Sequence, residues 1–534
     1  MKRSKRPPCK TLAAAILAAL LFISCEQPPG RIPAISDEKI LSYPDDAIFI
    51  NSPADMANIG VVETHPLTGT YVLTGDITLE NWTPIGDAAN PFYGVFDGNG
   101  KTITLTGFAN AAVAGRAYLG IFGYAKGTPS RKAAIRDLSI ISSVNVISDM
   151  AAGQAAGLTV GYAELAEMDN ITLSGNFAFE SKKTVYIGGV VGHINGNGTI
   201  VKNCNSSMTM DAKPGFGSPL VKGMANSFSF VGGFAGLFTD AAGIENCHNT
   251  GTVSGIGDHI AATQVIVGGV AGGSFYGYST AFQGYIHDSS STGNITTGAR
   301  GNWPMAGGIA GIICGGNGTK ESSTRIERCF AAGTVTVADV LETTSQNQWS
   351  YIGGIVGYVY YGGWVSQCYF DGRVIVNRIN DCTGGIAGYS SYAIGDVAGI
   401  LAGSPAGTFA LRLCVIEDCW SDGEVIGYNN AGGIVGQNQQ NTILRRCYSL
   451  MDVSVANNAN GPNTYAQWGV GGIAGSHSST NPVDAMFACV ALNRSISAPL
   501  GDESHRITGR MQEAGGVMPK MTNNYALPDL IPVT

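Results

Sequence analysis

The sequence predicts an all-β solenoid, and three observations carry that expectation. Glycine is abundant and charge is scarce: 75 of 534 residues are glycine and 13% are charged, against ~25% in an ordinary globular chain. A pentapeptide of two glycines, an aliphatic residue or Phe, then Ala or Val, then glycine recurs eight times. It begins at Gly188, Gly232, Gly268, Gly307, Gly353, Gly384, Gly432 and Gly471, at intervals of 31 to 48 residues. Between the copies, short β-rich runs are separated by Gly, Asn and Asp, and amphipathic helical periodicity is nearly absent. A unit of about 40 residues that cannot bury its own apolar face must stack on its neighbours.

Residues 1–24 form a separate element. Lys2, Arg3, Lys5, Arg6 and Lys10 precede an apolar run over residues 11–23, too short to span a bilayer but right for a signal sequence. The run ends Leu21-Phe22-Ile23-Ser24-Cys25, which resembles the lipobox of bacterial lipoproteins, with Phe22 where Leu is usual. That resemblance implies lipid attachment at Cys25; the alternative is plain secretory cleavage. Residues 25–45 read as a tether, beginning Glu26-Gln27-Pro28-Pro29-Gly30. Without the signal the chain keeps 31 − 5 = 26 basic residues against 39 acidic ones, a formal charge of −13. A nucleic-acid footprint is missing, so nucleic acid is not an expected partner.

Residues 46–110 read as an N-terminal cap and first coils. Ser52 before Pro53 marks a short helix. Alternating strands flank the turn Asp97-Gly98-Asn99-Gly100. The repeat body spans residues 111–500. Each pentapeptide is followed by a second block: VKNC, IENC, IHDS, IERC, VSQC, IEDC, LRRC or MFAC. Its last position is Cys204, Cys247, Cys329, Cys368, Cys419, Cys447 or Cys489, with Ser289 as the exception. Two weaker copies precede the eight, at 118–124 and 155–162. Doubled glycine suits a coil that needs positive φ at its corners, or one whose backbones approach too closely for a side chain. Small apolar cysteines suit a buried, reduced ladder of equivalent positions. One repeat of this length accommodates either one coil or two. Residues 501–534 read as a partial last coil, with Asn524 in the cysteine's place and 528–534 as a cover.

The block GGIVGY, followed by an IxNCY-like segment and GxV, is similar to the GLUG-motif repeats of bacterial surface proteins. The leader over residues 70–108 resembles the segment that accompanies those repeats. The likeness covers roughly residues 70–527. It implies a right-handed parallel β-helix-like stack of about ten repeats, exported to the cell envelope at the outer membrane or cell surface. It implies no chemistry, because such repeats occur in adhesin-like proteins and beside protease domains alike.

The sequence assigns no catalytic, metal or cofactor residue. The seven histidines are scattered singly and none forms H-E-x-x-H. The stretch 98–102, GNGKT, lacks the upstream glycine of a phosphate loop, since that place is Val95. Glu245, Glu327 and Glu417 hold equivalent places and stack into one strip, read as a solvated outer face. Tyr358, Tyr360, Tyr361, Trp364, Tyr369 and Phe370 form the richest aromatic patch, for which internal stacking is favoured over contact with sugar or protein. A Cys382–Cys414 bridge is the single disulfide considered. The expected role is a lipid-anchored binding or adhesion protein that takes a glycan or a host or matrix protein. Specificity would lie in inserts at 212–227, 340–350 and 390–410. The alternatives are a polysaccharide-acting enzyme and a structural envelope component.

Overall fold

A computed structural model describes residues 43–526 apart from 197, 216–227, 258–263, 275–283, 300–302, 316–319, 321–322, 339–348, 378–380, 392–412, 440–441, 456–468, 480–484, 499–502 and 514–519. Cys25, the tether up to residue 42, the 528–534 cover and most of the three inserts lie outside the described residues.

The fold is all-β, a solenoid-like stack of parallel sheets. In the coil that carries Gly353, the first face is Ser350–Gly353 and the second is Val356–Tyr360. The third face is Trp364–Ser366 continued by Tyr369–Ile375. First faces join one 11-stranded sheet, second faces join another, and third faces belong to a 30-stranded sheet that also holds the N-terminal strands. Gly188 pairs with Gly232, Gly232 with Gly268, and so on through Gly471, each one coil from the next. One repeat is therefore one coil.

The doubled glycines correct half of the expectation made for them. None has a positive φ. The residue before each ladder cysteine takes the left-handed conformation instead: Asn203, Asn246, Asp288, Arg328, Gln367, Asp418, Arg446 and Ala488 all lie at φ 50–55°. Close approach is what excludes side chains. A Cβ on Gly353 would sit 2.1 Å from the Val356 carbonyl oxygen. One on Gly354 would sit 2.2 Å from the Gly385 oxygen of the next coil and 2.3 Å from Cγ of Phe370 within its own coil. The second glycine thus makes room for the inward residue two places after the cysteine.

Alternate residues of the first two faces serve two cores. Ile352, Ile355, Val356 and Val359 point into the main core, which also takes the ladder cysteines. Tyr351, Tyr358 and Tyr360 belong to a second cluster with Tyr186, Phe230, Met305 and Tyr389. Strands buried on both sides explain why YIGGIVGY is apolar throughout rather than alternating. Polar surface is, among the described residues, largely confined to the third face.

At the N-terminal end, Pro53–Ala57 forms the short helix, with Ser52 Oγ accepting the Asp55 N–H at 3.2 Å and Met56 buried in the core. The turn at 98–101 does not close a hairpin. Val95–Asp97 pairs with Thr70–Leu73 and Thr102–Leu105 with Ile77–Leu79, all in parallel. At the other end, Lys520–Thr522 and Tyr525–Ala526 add one more third-face rung. Asn523 takes φ 54°, and Asn524 Oδ1 accepts the Cys489 N–H at 2.9 Å, so Asn524 does hold the cysteine's place.

Candidate functional site

Register on the third face assembles columns of equivalent side chains. The residue before the left-handed position runs Arg136, Asp169, Lys202, Glu245, His287, Glu327, Ser366, Glu417, Arg445, with Asp97 in register ahead of Arg136. The three glutamates do align, as expected, but His287 and Ser366 separate them.

Two of them are not solvated: Glu327 and Glu417 are each only 5% exposed. Flanking side chains cover them, and both carboxylates are met by donors. Lys320 Nζ lies 2.5 Å and His287 Nε2 2.8 Å from Glu327, and Ser366 Oγ donates to it at 3.2 Å. Burial raises the Glu327 carboxyl, yet Lys320, His287 and Arg325 outweigh that and hold it below the usual range. Burial lowers His287, against the pull of Glu327. Glu417 accepts from Arg445 Nε at 2.6 Å, Arg446 Nη2 at 2.7 Å and Trp364 Nε1 at 3.0 Å. Arg446 also forks onto Asp418, and Arg328 onto Asp288. Carboxylates saturated in this way hold a surface together and have little capacity to move a proton. Among the described residues, no three His, Cys, Asp or Glu side chains converge as metal ligands.

The aromatic patch divides. Tyr358, Tyr360 and Tyr361 are buried in the outer cluster and Phe370 in the main core. Tyr369 joins a column that the sequence did not expose as a unit. The residue after the ladder cysteine is Phe330, Tyr369, Trp420 and Tyr448 in four successive coils. Their ring centroids are 4.3, 4.7 and 5.9 Å apart, with planes within 25°, 8° and 3° of parallel. All four rings reach solvent, Tyr448 most at 36%. Aromatic residues at one fixed offset from the cysteine, in CF, CY, CW and CY, were the available signal.

No family model matches the chain, and no curated protein matches it. A solved structure that aligns with it comes from Bacteroides ovatus, a protein assigned provisionally as an immunoglobulin A1 protease. The two are 20% identical with a TM-score of 0.38, over 58% of this chain and 83% of that one.

The cysteine ladder is buried and free of disulfides, as are Cys382 and Cys414. The bridge considered between those two is absent. Cys382 Sγ donates to Gln437 Oε1 at 3.2 Å instead, and Cys414 Sγ to the Ser391 carbonyl at 3.6 Å. Ladder thiols donate to the carbonyl two residues earlier, as Cys368 does to Ser366 at 3.2 Å. Ser289 repeats that bond to His287 at 2.7 Å, which explains how serine enters the column. Among the described residues, no helix is long and apolar enough to cross a membrane.

Proposed function

We propose that this chain is an exported binding protein of the bacterial cell envelope, tethered through lipidated Cys25, with the third face of the solenoid as its contact surface. The observation that carries the reading is the solvent-facing ring column on that face. Large aromatic groups left in water in strict register are a costly way to finish a surface unless something covers them. The resemblance to GLUG-motif repeats supports export, and the lipobox-like Leu21 to Cys25 stretch supports the anchor. No catalytic step is assigned, because Glu327 and Glu417, two buried acids of this face, are saturated by Lys320, His287, Ser366, Arg445, Arg446 and Trp364.

A glycan and matrix-protein array probed with residues 31–534 tests the reading. Specific capture of a glycan or a protein is expected. An array without hits would favour a structural envelope component. Fractionation tests the anchor: the native chain should partition into detergent, and Cys25→Ala should release it from the membrane. Equal membrane association of the variant would end the lipoprotein reading.

A further inference from the structure

We infer that the ring column takes a neutral, linear polysaccharide laid along the solenoid axis, one pyranose to a coil. The inference rests on the binding role proposed above and names its ligand.

Spacing is the first ground. Parallel strands repeat at about 4.8 Å, close to the advance of one sugar in an equatorially 1,4-linked chain. An extended peptide repeats its side chains on one face at a longer step, and would drift out of register with the rings. Chemistry is the second ground. Stacked rings cover one another's faces, so the interior of the column offers edges to solvent. At those edges stand the Tyr369 hydroxyl, the Trp420 indole N–H and the Tyr448 hydroxyl, and none makes a hydrogen bond among the described residues. Three polar tips, one per coil, match a ligand that presents one hydroxyl or ring oxygen per repeat.

Charge is the third ground. Beside the rings, two places along each strand, lie Asp371 and Asp422 on adjacent coils. Arg494 Nη2 holds Asp422 at 2.7 Å, whereas Asp371 is exposed and makes no ion pair among the described residues. Neighbouring Arg373 is taken by Glu424 at 2.8 Å, and Arg446 by Asp418 at 2.6 Å. Among the described residues the strip therefore holds no spare cation, which disfavours uronates and sulfated chains. A lone carboxylate accepts well from vicinal sugar hydroxyls.

The test is calorimetric titration of residues 31–534 with cello-, xylo- and manno-oligosaccharides, from mono- to hexasaccharide. Affinity should rise with each sugar and level off at the tetrasaccharide, one pyranose for each ring. A variant with Tyr369→Phe, Trp420→Phe and Tyr448→Phe keeps the stack and removes the polar tips. It should melt near the native temperature and bind roughly 2- to 10-fold more weakly for each lost hydrogen bond. No binding in any series, or full binding by the triple variant, would overturn the inference. Array capture of a protein or an acidic glycan alone would also overturn it, while leaving the binding role intact.

Discussion

Gly354 shows how much one missing Cβ decides. A Gly→Ala change in a strand normally lowers unfolded-chain entropy and stabilises. Here the new methyl would meet a backbone oxygen of the next coil and the Phe370 ring. Gly354→Ala should cost about 1–3 kcal/mol as overpacking, read as a fall in melting temperature. Adding Phe370→Ala should not restore stability, because the Gly385 oxygen cannot move without its coil. Asp381 is the second decisive residue. It is fully buried, with its carboxyl accepting Thr383 Oγ1 at 2.5 Å and the N–H groups of Tyr428 at 2.9 Å and Asn429 at 2.6 Å. Burial outweighs these donors and raises its pKa to about 6. A carboxyl raised in the fold keeps its proton where the unfolded chain has already ionised. Its contribution is therefore full below about pH 4 and is lost as pH rises to about 6, on the order of 3 kcal/mol. Asp381→Asn should flatten that slope in denaturant melts between pH 4 and 6; an unchanged slope would place the titrating group elsewhere.

At the level of one coil, the repeat was legible because glycine and cysteine leave fixed marks in the sequence. The pentapeptide and the cysteine block located the first corner and the third face of each coil. What stayed hidden was geometry that several residue types satisfy. The left-handed position holds Asn or Asp in four blocks but Arg328, Gln367, Arg446 and Ala488 in the others. Only the first group advertises itself, through the tolerance of Asn and Asp for that region. Glu327 and Glu417 misled for a related reason: sequence places them on an outward position, but their neighbours Lys320 and Trp364 are what bury them. The cysteine ladder yields a sharper expectation. Ser289 already replaces a thiol with the same carbonyl bond, so Cys368→Ser should cost only about 1 kcal/mol. Cys368→Leu should cost about 1–3 kcal/mol by overpacking. Alkylation should find the ten described thiols protected in the native chain, and all reactive once it is denatured without reductant. Four or more disulfides by mass mapping would contradict the reduced ladder.

Across the whole molecule, two faces buried on both sides leave the third to meet the surroundings. Which faces are covered was not legible in the sequence, since nothing in YIGGIVGY distinguishes a strand covered on one side from one covered on both. Register turns scattered residues into a surface: Phe330, Tyr369, Trp420 and Tyr448 lie 118 positions apart end to end, yet occupy four consecutive rungs. The most direct measurement is hydroxyl-radical footprinting of residues 31–534, alone and saturated with whichever ligand the array captures, read residue by residue by mass spectrometry. Bound ligand should protect Phe330, Tyr369, Trp420 and Tyr448 together and leave exposed Phe49 and Tyr525 at the ends of the stack unchanged. Undiminished oxidation of those four rings in the saturated complex would contradict the third face as the contact surface.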